Sequence, residues 1–363
     1  MNSGSRNGSN GKRPDSKSVT AIDSQAPAAS PTPGPRAAAA DRYVLDREIG
    51  RGGMGRVFAG RDLRLGRTVA IKVLRTRDAA LASRFEREVK LGARLQHPGV
   101  VPVYDAGFWP SGEPFLVMKL VLGQSLARVI RDADTRADRI GLLPEVIAAA
   151  EAVAYAHDQG VVHRDLKPSN ILVGAFGETV VVDWGLAKDL RAQEVAEHGA
   201  PLGLQPVGGD TAVGAIVGTP AFMSPEQAAG KPVDLRTDVY ALGAILYFVL
   251  AGTGPQPVST SPPDRAPAAS GRLVPLGVLE PRLPPDLLAI VDKALAMDPD
   301  RRYPSAFELA EDLKRFASGQ LVGARRYSPL ARAGRFVARH PVAVGLALAA
   351  AAAGMGIAAL ALR

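Results

Sequence analysis

Two short stretches, HRDLKPSN at residues 163–170 and DWG at residues 183–185, organise the rest of this sequence. The first places a carboxylate, a lysine and an amide in one loop, and the second adds a carboxylate after a run of valines. This set suits phosphoryl transfer, because cations must neutralise the charge of the transferred group while a base accepts the proton of the attacking hydroxyl. Carboxylate and amide oxygens are also ligands that Mg2+ prefers. The stretches therefore predict a phosphoryl-transfer site with Asp165 as the base, Lys167 on the transferred phosphate, and Asn170 and Asp183 on Mg2+.

The pattern HRDLKxxN resembles the catalytic loop of protein kinases, and the lysine after HRDL is similar to the serine/threonine branch of that family. The alternative is that an Asp and an Asn merely cap a turn in a Pro-containing loop. Eight positions fixed in order argue against that alternative. The resemblance implies an α+β, bilobal protein-kinase fold, in which a β-rich N-lobe and an α-helical C-lobe hold ATP and Mg2+ between them.

A glycine-rich stretch of the form GxGxxGxV, residues 50–57, lies between two strand-like segments. Its glycines let the backbone approach phosphates and adopt positive φ angles. A lone GxGxxG could be a dinucleotide turn or an ordinary hairpin, but a strand follows it here, which argues against a dinucleotide fold. Fifteen residues after Val57, the strand VAIK supplies Lys72, which would hold the α- and β-phosphates. A surface lysine on an edge strand is the alternative.

The resemblance extends the nucleotide site to two further strands, predicted at residues 100–104 and 115–122. It implies that Met118 is the gatekeeper behind the adenine, that the backbone of residues 119–121 is the hinge, and that Leu172 packs beneath the adenine. The residues that the resemblance assigns to the nucleotide are Ile49, Gly50, Arg51, Gly52, Gly53, Met54, Gly55, Arg56, Val57, Ala70, Lys72, Met118, Lys119, Val121 and Leu172.

Residues 81–95 have apolar side chains at helical spacing and precede His-Pro-Gly, which predicts an amphipathic helix. The segment resembles the αC helix of kinases, and Glu88 is the residue that would pair with Lys72 in catalysis. A glutamate that is only solvated is the alternative. Gly92 stands where the family usually has an apolar residue, which predicts a looser helix whose active position depends more on a partner.

Trp184 stands where kinases usually have Phe, and its indole N–H needs an acceptor when buried. We expect it to bias the orientation of the motif without loss of function. Residues 186–217 are rich in Gly and small residues and lead into GTPAFMSPE, residues 218–226, which resembles a kinase activation segment. The regulatory residues implied are Arg164 as the cation for a phosphate on this segment, Thr211 as the first candidate for autophosphorylation, and Thr219 as a partner of Asp165 and Lys167. An unmodified loop threonine is the alternative for Thr211.

Two apolar segments predict core helices of the C-lobe. Residues 142–159 are Ala-rich and end before a glycine, and residues 237–252 form a hydrophobic helix opened by Asp238 that resembles the αF helix. The resemblance also implies a buried ion pair between Glu226 and Arg302. Exposed helix-end charges are the alternative for these two residues.

Composition excludes some functions and leaves others open. The chain has 363 residues, no cysteine, a net charge of +8 and a pI near 9.8. Disulfides, thiolate metal sites and thiol nucleophiles are therefore excluded. Much of the positive charge lies in arginines near the C-terminus, and no basic motif interleaved with aromatic residues supports nucleic-acid binding. We therefore expect no nucleic acid as a partner.

The ends of the chain differ from the middle. Residues 1–40 are rich in Ser, Gly, Pro and Ala and predict a disordered tail, and residues 43–317 correspond to the kinase domain. A basic juxtamembrane segment, residues 318–340, precedes an uncharged run within residues 341–362 that is long enough to span a bilayer. The arginines on one flank place the kinase domain in the cytoplasm. A buried Ala-rich helix is the alternative, and a sensor domain after Arg363 is a further expectation.

Together, these features predict a eukaryotic-like (Hanks-type) bacterial serine/threonine protein kinase, receptor-like with a single transmembrane helix. It would phosphorylate serine and threonine hydroxyls of proteins, and self-association would allow autophosphorylation of its activation segment in trans. The alternatives are a catalytically weak pseudokinase or scaffold that binds ATP, and a small-molecule phosphotransferase of kinase-like fold. A small-molecule phosphotransferase needs neither the Gly-Thr-Pro segment at residues 218–220 nor the Ser-Pro-Glu segment at residues 224–226, so these motifs argue against it. Residues 253–285 are dense in Pro and Ser and leave the substrate open.

Overall fold

A computed structural model of the chain describes residues 41–51, 55–74, 79–191, 220–255 and 273–329, with scattered positions between 337 and 355. Within these residues the fold is α+β and has two lobes, a β-rich first lobe and a helical second lobe. The bilobal architecture predicted from the sequence is therefore confirmed. The predicted tail, residues 1–40, lies outside the described residues.

The first lobe is built on an antiparallel sheet with both faces covered. Its strands are β1 (Tyr43–Arg51), β2 (Gly55–Asp62), β3 (Arg67–Leu74), β4 (Val103–Phe108) and β5 (Pro114–Lys119). They are ordered β1-β2-β3-β5-β4. Successive side chains of a strand point to opposite faces. Along β3, Val69 and Ile71 therefore pack with Tyr43 and Phe115, whereas Ala70 joins the main core on the other face.

Helix α1 (Ala79–Arg94) connects β3 to β4 and begins two residues earlier than the sequence predicts. Phe85 and Leu91 are buried on its inner face. At Gly92, an added Cβ would lie 2.8 Å from Cγ2 of Val103 on β4. Glycine therefore lets α1 pack closely against the sheet, a role that the sequence did not indicate.

The second lobe is a group of helices around one apolar core. They are α2 (Leu126–Asp132), α3 (Arg136–Ile140), α4 (Leu143–Asp158), α5 (Pro225–Ala228), α6 (Leu235–Ala251), α7 (Leu276–Leu279), α8 (Pro285–Ala294) and α9 (Ala306–Ala317). On α4, Ala149, Ala152 and Val153 are fully buried, and their small side chains let neighbouring helices approach. Helix α6 is apolar on nearly every side, as expected of a helix enclosed by protein.

Helix α6 begins earlier than predicted, and Asp238 does not open it. The side chain of Asp234 caps the helix by accepting a hydrogen bond from the backbone N–H of Arg236. Gly252 ends the helix in the left-handed conformation, with φ of 72°. The prediction that Asp238 starts this helix is therefore wrong, and Asp238 lies buried inside its first turns.

Short strands between the lobes place the catalytic loop. They are β6 (Gly123–Ser125), β7 (Val161–Val162), β8 (Ile171–Gly174), β9 (Thr179–Val181) and β10 (Lys188–Asp189). Strands β6, β8 and β9 form one sheet, and β7 pairs with β10. The loop at residues 163–170 therefore leaves β7 and enters β8, while Asp183 follows β9 by two residues. Both predicted motifs emerge from paired strands.

The chain after α9 packs back onto the second lobe as far as residue 327. Val322 is buried, and the backbone N–H groups of Gly323 and Ala324 donate to the carboxylate of Asp312 at 2.7 Å and 2.8 Å. Arg325 donates to Asp286 at 2.7 Å. The first part of the segment predicted to be juxtamembrane is therefore attached to the lobe.

Among the described residues, one helical stretch at residues 136–158 is long and apolar enough to cross a membrane. This stretch covers α3 and α4, and 44% of its most apolar window is buried within the fold. Within it, Ala149, Ala152 and Val153 of α4 are buried in the core of the second lobe. The predicted span at residues 341–362 lies largely outside the described residues.

Candidate active site

Lys72 on β3 joins two carboxylates from distant parts of the chain. Its Nζ lies 2.7 Å and 2.9 Å from the two oxygens of Glu88 on α1, and 2.9 Å from Oδ1 of Asp183. Lys72 and Glu88 are both buried. The structure thus brings together three of the predicted site residues, two of which are 111 positions apart in the sequence.

The electrostatics of this group follow from one ammonium shared by two carboxylates. Burial opposes the charged form of Lys72, but Glu88 and Asp183 outweigh it and raise the pKa of the ammonium above its ordinary value. Burial likewise opposes the charge on Asp183, yet Lys72 lowers the pKa of that carboxyl. Burial raises the pKa of Glu88, since Lys72 offsets only part of the cost and Asp183 adds a second negative charge. The group therefore has an excess of carboxylates over cations, which suits an added divalent cation.

The catalytic loop gathers the other predicted residues around Asp165. Lys167 Nζ donates to Asp165 Oδ2 at 2.7 Å. Asn170 Nδ2 donates to the backbone carbonyl of Asp165 at 2.9 Å and to its Oδ2 at 3.2 Å. The Asp165 carboxylate is thereby fixed in position, as a general base requires.

Asp238, deep in α6, holds this loop from below and was missed as a site residue. Its carboxylate accepts hydrogen bonds from the backbone N–H groups of His163 at 2.7 Å and Arg164 at 2.9 Å. The Nε2 of His157 lies 3.0 Å from the same carboxylate. Burial opposes its charge, but the interactions with His157 and His163 together outweigh burial and lower the pKa of Asp238. A carboxylate in an apolar helix was the available signal, since a buried charge requires partners.

Two non-glycine residues of the motifs adopt the left-handed backbone conformation. They are Arg164, with φ of 66°, and Asp183, with φ of 65°. Such a conformation costs roughly 1–3 kcal/mol per residue and persists only where surrounding contacts enforce it. The hydrogen bond from Arg164 to Asp238 and the ion pair from Asp183 to Lys72 supply those contacts. Strain is therefore concentrated in the two motifs, HRDLKPSN and DWG.

Trp184 fills the position below Asp183 and is 2% exposed. Its indole Nε1 donates to the carbonyl of Val181 at 3.4 Å, a long and therefore weak hydrogen bond. Its ring lies 4.6 Å from that of His163. The side chain thus packs under the catalytic loop while Asp183 reaches Lys72, which is the orientation that the site needs.

Part of the glycine-rich loop is described, and part is not. Gly52, Gly53 and Met54 lie outside the described residues. At Gly55, a Cβ would lie 2.3 Å from the carbonyl oxygen of Val73, so the pairing of β2 with β3 itself requires glycine there.

The strands that carry this loop are tied together by Glu48, which the sequence did not single out. Arg51 and Arg56 face each other across β1 and β2, and both bond the Glu48 carboxylate. The hydrogen bonds from Arg51 and then Arg56 lower the pKa of Glu48 to about 2. The anion separates two like charges that would otherwise repel across the hairpin.

The predicted adenine side is formed by β3, β5 and β8. Ala70 lies opposite Met118 across the β3–β5 pair, and Met118 is buried. Leu172 lies on β8, opposite Ser125. The backbone N–H of Lys119 donates to Pro102 at 3.0 Å, so this N–H is not offered to a nucleotide. The remaining predicted contacts, Ile49, Val57 and Val121, lie on β1, on β2 and just after β5.

The activation segment is described at its two ends. Thr211 and Thr219 lie outside the described residues. Arg164 Nε donates to the carbonyl of Leu186 at 2.6 Å, which ties the catalytic loop to the start of the segment. At the other end, Gln227 donates to the carbonyl of Arg164 at 2.6 Å. The predicted regulatory arginine therefore contacts both ends.

The predicted ion pair between Glu226 and Arg302 is present and buried. Arg302 donates to the two oxygens of Glu226 at 2.7 Å and 2.8 Å. Thr237 Oγ1 adds a hydrogen bond to Glu226 at 3.0 Å. The alternative of two exposed helix-end charges is excluded.

The donor set fits a magnesium ion that is bound together with phosphates. Among the described residues no group of three His, Cys, Asp or Glu side chains could hold a metal alone. Asp183 and Asn170 supply a carboxylate and an amide oxygen, because the Asn170 nitrogen already bonds Asp165. Mg2+ is commonly held by one or two protein oxygens, with water and substrate phosphates as the other ligands.

Comparisons with known proteins agree with this geometry. The sequence profile described as "Protein kinase domain" matches residues 43–312. Serine/threonine-protein kinase PknB of Mycobacterium tuberculosis is 39% identical over 291 residues, which cover 77% of this chain and 44% of that protein. Serine/threonine-protein kinase PknD of Chlamydia muridarum is 37% identical over 301 residues, which cover 77% of this chain and 32% of that protein. The crystal structure of the M. tuberculosis PknI kinase domain matches with a TM-score of 0.54 and 27% identity, over 75% of this chain and 95% of that chain. This chain therefore spans less than half the length of these curated relatives.

Proposed function

We propose that this chain, which belongs to the protein kinase domain family and to its serine/threonine branch, transfers the γ-phosphate of ATP to serine and threonine hydroxyls of proteins. Kinases of this branch use ATP and Mg2+. The observation that carries the proposal is the Lys72 group, in which a strand, a helix and the DWG segment meet, together with the Asp165 group of the catalytic loop, whose Lys167 acts electrostatically on Asp183.

Each side chain has a distinct role in this transfer. Asp165 accepts the proton of the attacking hydroxyl, and the contact with Asn170 keeps its carboxylate oriented. Lys167, 2.7 Å from Asp165, places a positive charge beside the phosphoryl group. Asn170 and Asp183 would hold Mg2+, which supplies charge neutralisation on the phosphates when bound.

Lys72 and Glu88 act as a pair. Lys72 provides the cation for the α- and β-phosphates, and Glu88 on α1 holds the ammonium in place. Because Glu88 lies on a helix and Lys72 on a strand, the position of α1 controls whether the cation is available. The hydrogen bonds that Asp238 accepts from the backbone of the catalytic loop hold that loop in position.

Substitution of Asp165 by Asn tests the proposal directly. Asn cannot take a proton from the substrate, so we expect Mg2+-dependent phosphate transfer to fall about 10²- to 10⁴-fold. Nucleotide binding should be retained, because Lys72, Asn170 and Asp183 remain. The measurements are incorporation of labelled phosphate from ATP and the affinity for ATP by calorimetry.

The matched control is Asp158→Asn, at an exposed aspartate at the end of α4, which should transfer phosphate like the wild type. Wild-type turnover in Asp165→Asn would show that Asp165 is not the base. A wild-type chain that binds ATP but shows no Mg2+-dependent phosphorylation would instead favour the pseudokinase or scaffold.

We further propose that the chain is membrane-associated, with its kinase domain in the cytoplasm. The support is the uncharged run that follows the arginines in the sequence. Full-length chain should sediment with membranes and resist carbonate extraction, whereas a chain ending at residue 329 should not. Recovery of both the full-length and the shortened chain in the soluble fraction would refute the proposed transmembrane helix.

The proposal includes self-association and phosphorylation in trans on the activation segment, with Thr211 as the first acceptor. Arg164 supports this, since it bonds the start of that segment and would bring a cation close to a phosphate there. Phosphopeptide mapping of inactive Lys72→Met chain incubated with wild type and Mg-ATP tests both points. An unlabelled Lys72→Met chain would exclude transfer in trans.

A further inference from the structure

Outside the residues assigned to phosphate transfer, an ion pair joins the end of α1 to the strand after the DWG motif. Arg94 is the last residue of α1, and its guanidinium donates to Oδ2 of Asp189 on β10. A second guanidinium nitrogen donates to the carbonyl of Gln159, just after α4, at 3.4 Å. The Arg94 side chain is 47% exposed and that of Asp189 is 15% exposed. One side chain therefore links the first lobe to two elements of the second.

Asp189 is itself fixed to the base of the catalytic loop. Its Oδ1 accepts a hydrogen bond from the backbone N–H of Arg191 at 2.9 Å. In the β7–β10 pair, Asp189 lies opposite Val161 and Lys188 lies opposite Val162. Because β7 runs directly into His163, the acceptor of Arg94 moves with the catalytic loop.

The neighbouring backbone is shaped to keep β10 in place. Arg191 donates to the carbonyl of Asp158, and Leu190 N–H donates to the carbonyl of Gly160 at 2.7 Å. Gly160 has φ of 76°, and a Cβ there would lie 2.7 Å from the Arg191 side chain. Glycine at position 160 therefore makes room for this side chain as well as ending α4.

The location of Arg94 on α1 gives the contact its consequence. Glu88 lies six residues earlier on the same helix, which corresponds to about 9 Å along the axis. A contact at the end of a rigid helix restricts its rotation, and rotation of α1 would withdraw Glu88 from Lys72. Gly92, between the two, packs against β4 and contributes no side chain to this restraint.

We propose that Arg94 and Asp189 form a latch that holds α1 in the position where Glu88 engages Lys72. Both are positioning residues, since neither contacts the reacting groups. The inference rests on the proposed kinase function, which supplies its activity readout. The Arg94–Asp189 pair thereby couples the segment after DWG to the helix that carries Glu88.

Neutral variants of each partner test the latch. Arg94→Gln, Asp189→Asn and the double variant should each lower the maximal rate of Mg2+-dependent autophosphorylation about two- to fivefold, as expected for a partly exposed pair. The loss in the double variant should equal that in either single variant, because both remove the same contact. The ATP concentration for half-maximal rate should stay unchanged, since α1 positions Lys72 for chemistry. Arg94→Lys, which keeps the charge, should recover most of the rate.

Lys90→Gln is the matched control. Lys90 lies on the same helix and pairs with Glu86 on the exposed surface, without reaching the second lobe. Its rate should equal that of the wild type. Calorimetric binding of one ATP per chain in each variant ensures that the folded fraction is the same. Equal losses in Lys90→Gln, multiplicative losses in the double variant, or no recovery in Arg94→Lys would each overturn the latch.

Hydrogen exchange tests the latch independently of catalysis. The amide of Leu95 donates to the carbonyl of Leu91 at 3.2 Å, at the end of α1. Its exchange should be faster in Arg94→Gln and Asp189→Asn than in the wild type or Lys90→Gln. If the wild type transfers no phosphate, the proposed function fails while this measurement still decides the latch. Unchanged exchange in both variants would refute it.

Discussion

Two buried groups of ions in this molecule differ in how completely their charges are enclosed. The cleft cluster consists of Lys72, Glu88 and Asp183, and the anchor pair consists of Glu226 and Arg302. In the anchor pair, the Arg302 side chain is fully buried and also donates to backbone carbonyls. In the cleft cluster, the Asp183 side chain is 41% exposed. The anchor pair is closed, whereas the cleft cluster opens toward solvent.

This difference shows which group serves stability and which serves chemistry. Every guanidinium nitrogen of Arg302 has a partner, so removing one member of the pair leaves a buried charge without compensation. The cleft cluster lies on three elements, a strand, a helix and the DWG segment, and its members bond chiefly to one another. Its geometry can therefore change with the position of α1. Variants of the two groups should separate loss of activity from loss of stability.

The largest effect on phosphate transfer in this comparison is expected from Lys72→Met. The variant removes the cation placed for the phosphates, so phosphate transfer should fall at least about 10²-fold. The free energy of unfolding should fall by only about 1–2 kcal/mol, because the pKa of buried Glu88 is already raised and the carboxyl can take up a proton. Radiolabel transfer and urea unfolding measure the two quantities.

The control for that variant is Lys90→Met, on the exposed side of α1, which should change neither quantity. If Lys72→Met unfolded the protein while the residual folded fraction stayed active, the cleft cluster would be structural and the comparison would be broken.

The reverse pattern is expected from Arg302→Ala. This variant leaves Glu226 buried without its counter-ion and frees three backbone carbonyls, so the free energy of unfolding should fall by about 3–5 kcal/mol. Arg301→Ala is a matched neighbour, because Arg301 is exposed and pairs with Asp298 at the surface. It should cost less than about 0.5 kcal/mol. Equal unfolding midpoints in urea for the two variants would show that the anchor pair contributes nothing.

The sequence predicted those parts of the site that lie in contiguous motifs. HRDLKPSN and DWG each place several groups at fixed spacing, so Asp165, Asn170 and Asp183 could be named without knowing the fold. The pairing of Lys72 with Glu88 came from resemblance, and the structure has these residues in contact.

Contacts made by isolated residues could not be predicted in this way. The sequence pattern predicts Asp238 as the start of an apolar helix. The actual partners of Asp238 are backbone N–H groups about 75 residues away. Arg94 and Asp189 carry no motif and meet only because β10 pairs with β7. Such contacts depend on the packing of whole elements, which local patterns do not encode.

The sharpest test of the anchor pair is a pH dependence. Burial opposes the charge of Glu226, but the hydrogen bonds and charge of Arg302, together with hydrogen bonds from the Glu226 backbone and Ser224, outweigh burial and lower its pKa from 4.5 to about 2. A carboxyl whose pKa is lower in the folded state stabilises the protein above its unfolded pKa, and this contribution is lost as pH falls through the folded pKa. The stabilisation by Glu226 should therefore be complete at pH 7 and decrease between about pH 4.5 and pH 2.

The measurement is the difference in free energy of unfolding between the wild type and Glu226→Gln, followed from pH 7 to pH 3. Since Gln keeps the shape but not the charge, the difference should be at most about 3 kcal/mol at pH 7 and should shrink steadily below pH 4.5. Asp300→Asn is the control, because the side chain of Asp300 is 81% exposed although it also pairs with an arginine, Arg236. Its difference from wild type should stay near zero throughout. A difference for Glu226→Gln that did not vary with pH would mean that the charge of the carboxyl does not contribute to stability, and the anchor pair would then lose its electrostatic distinction from the cleft cluster.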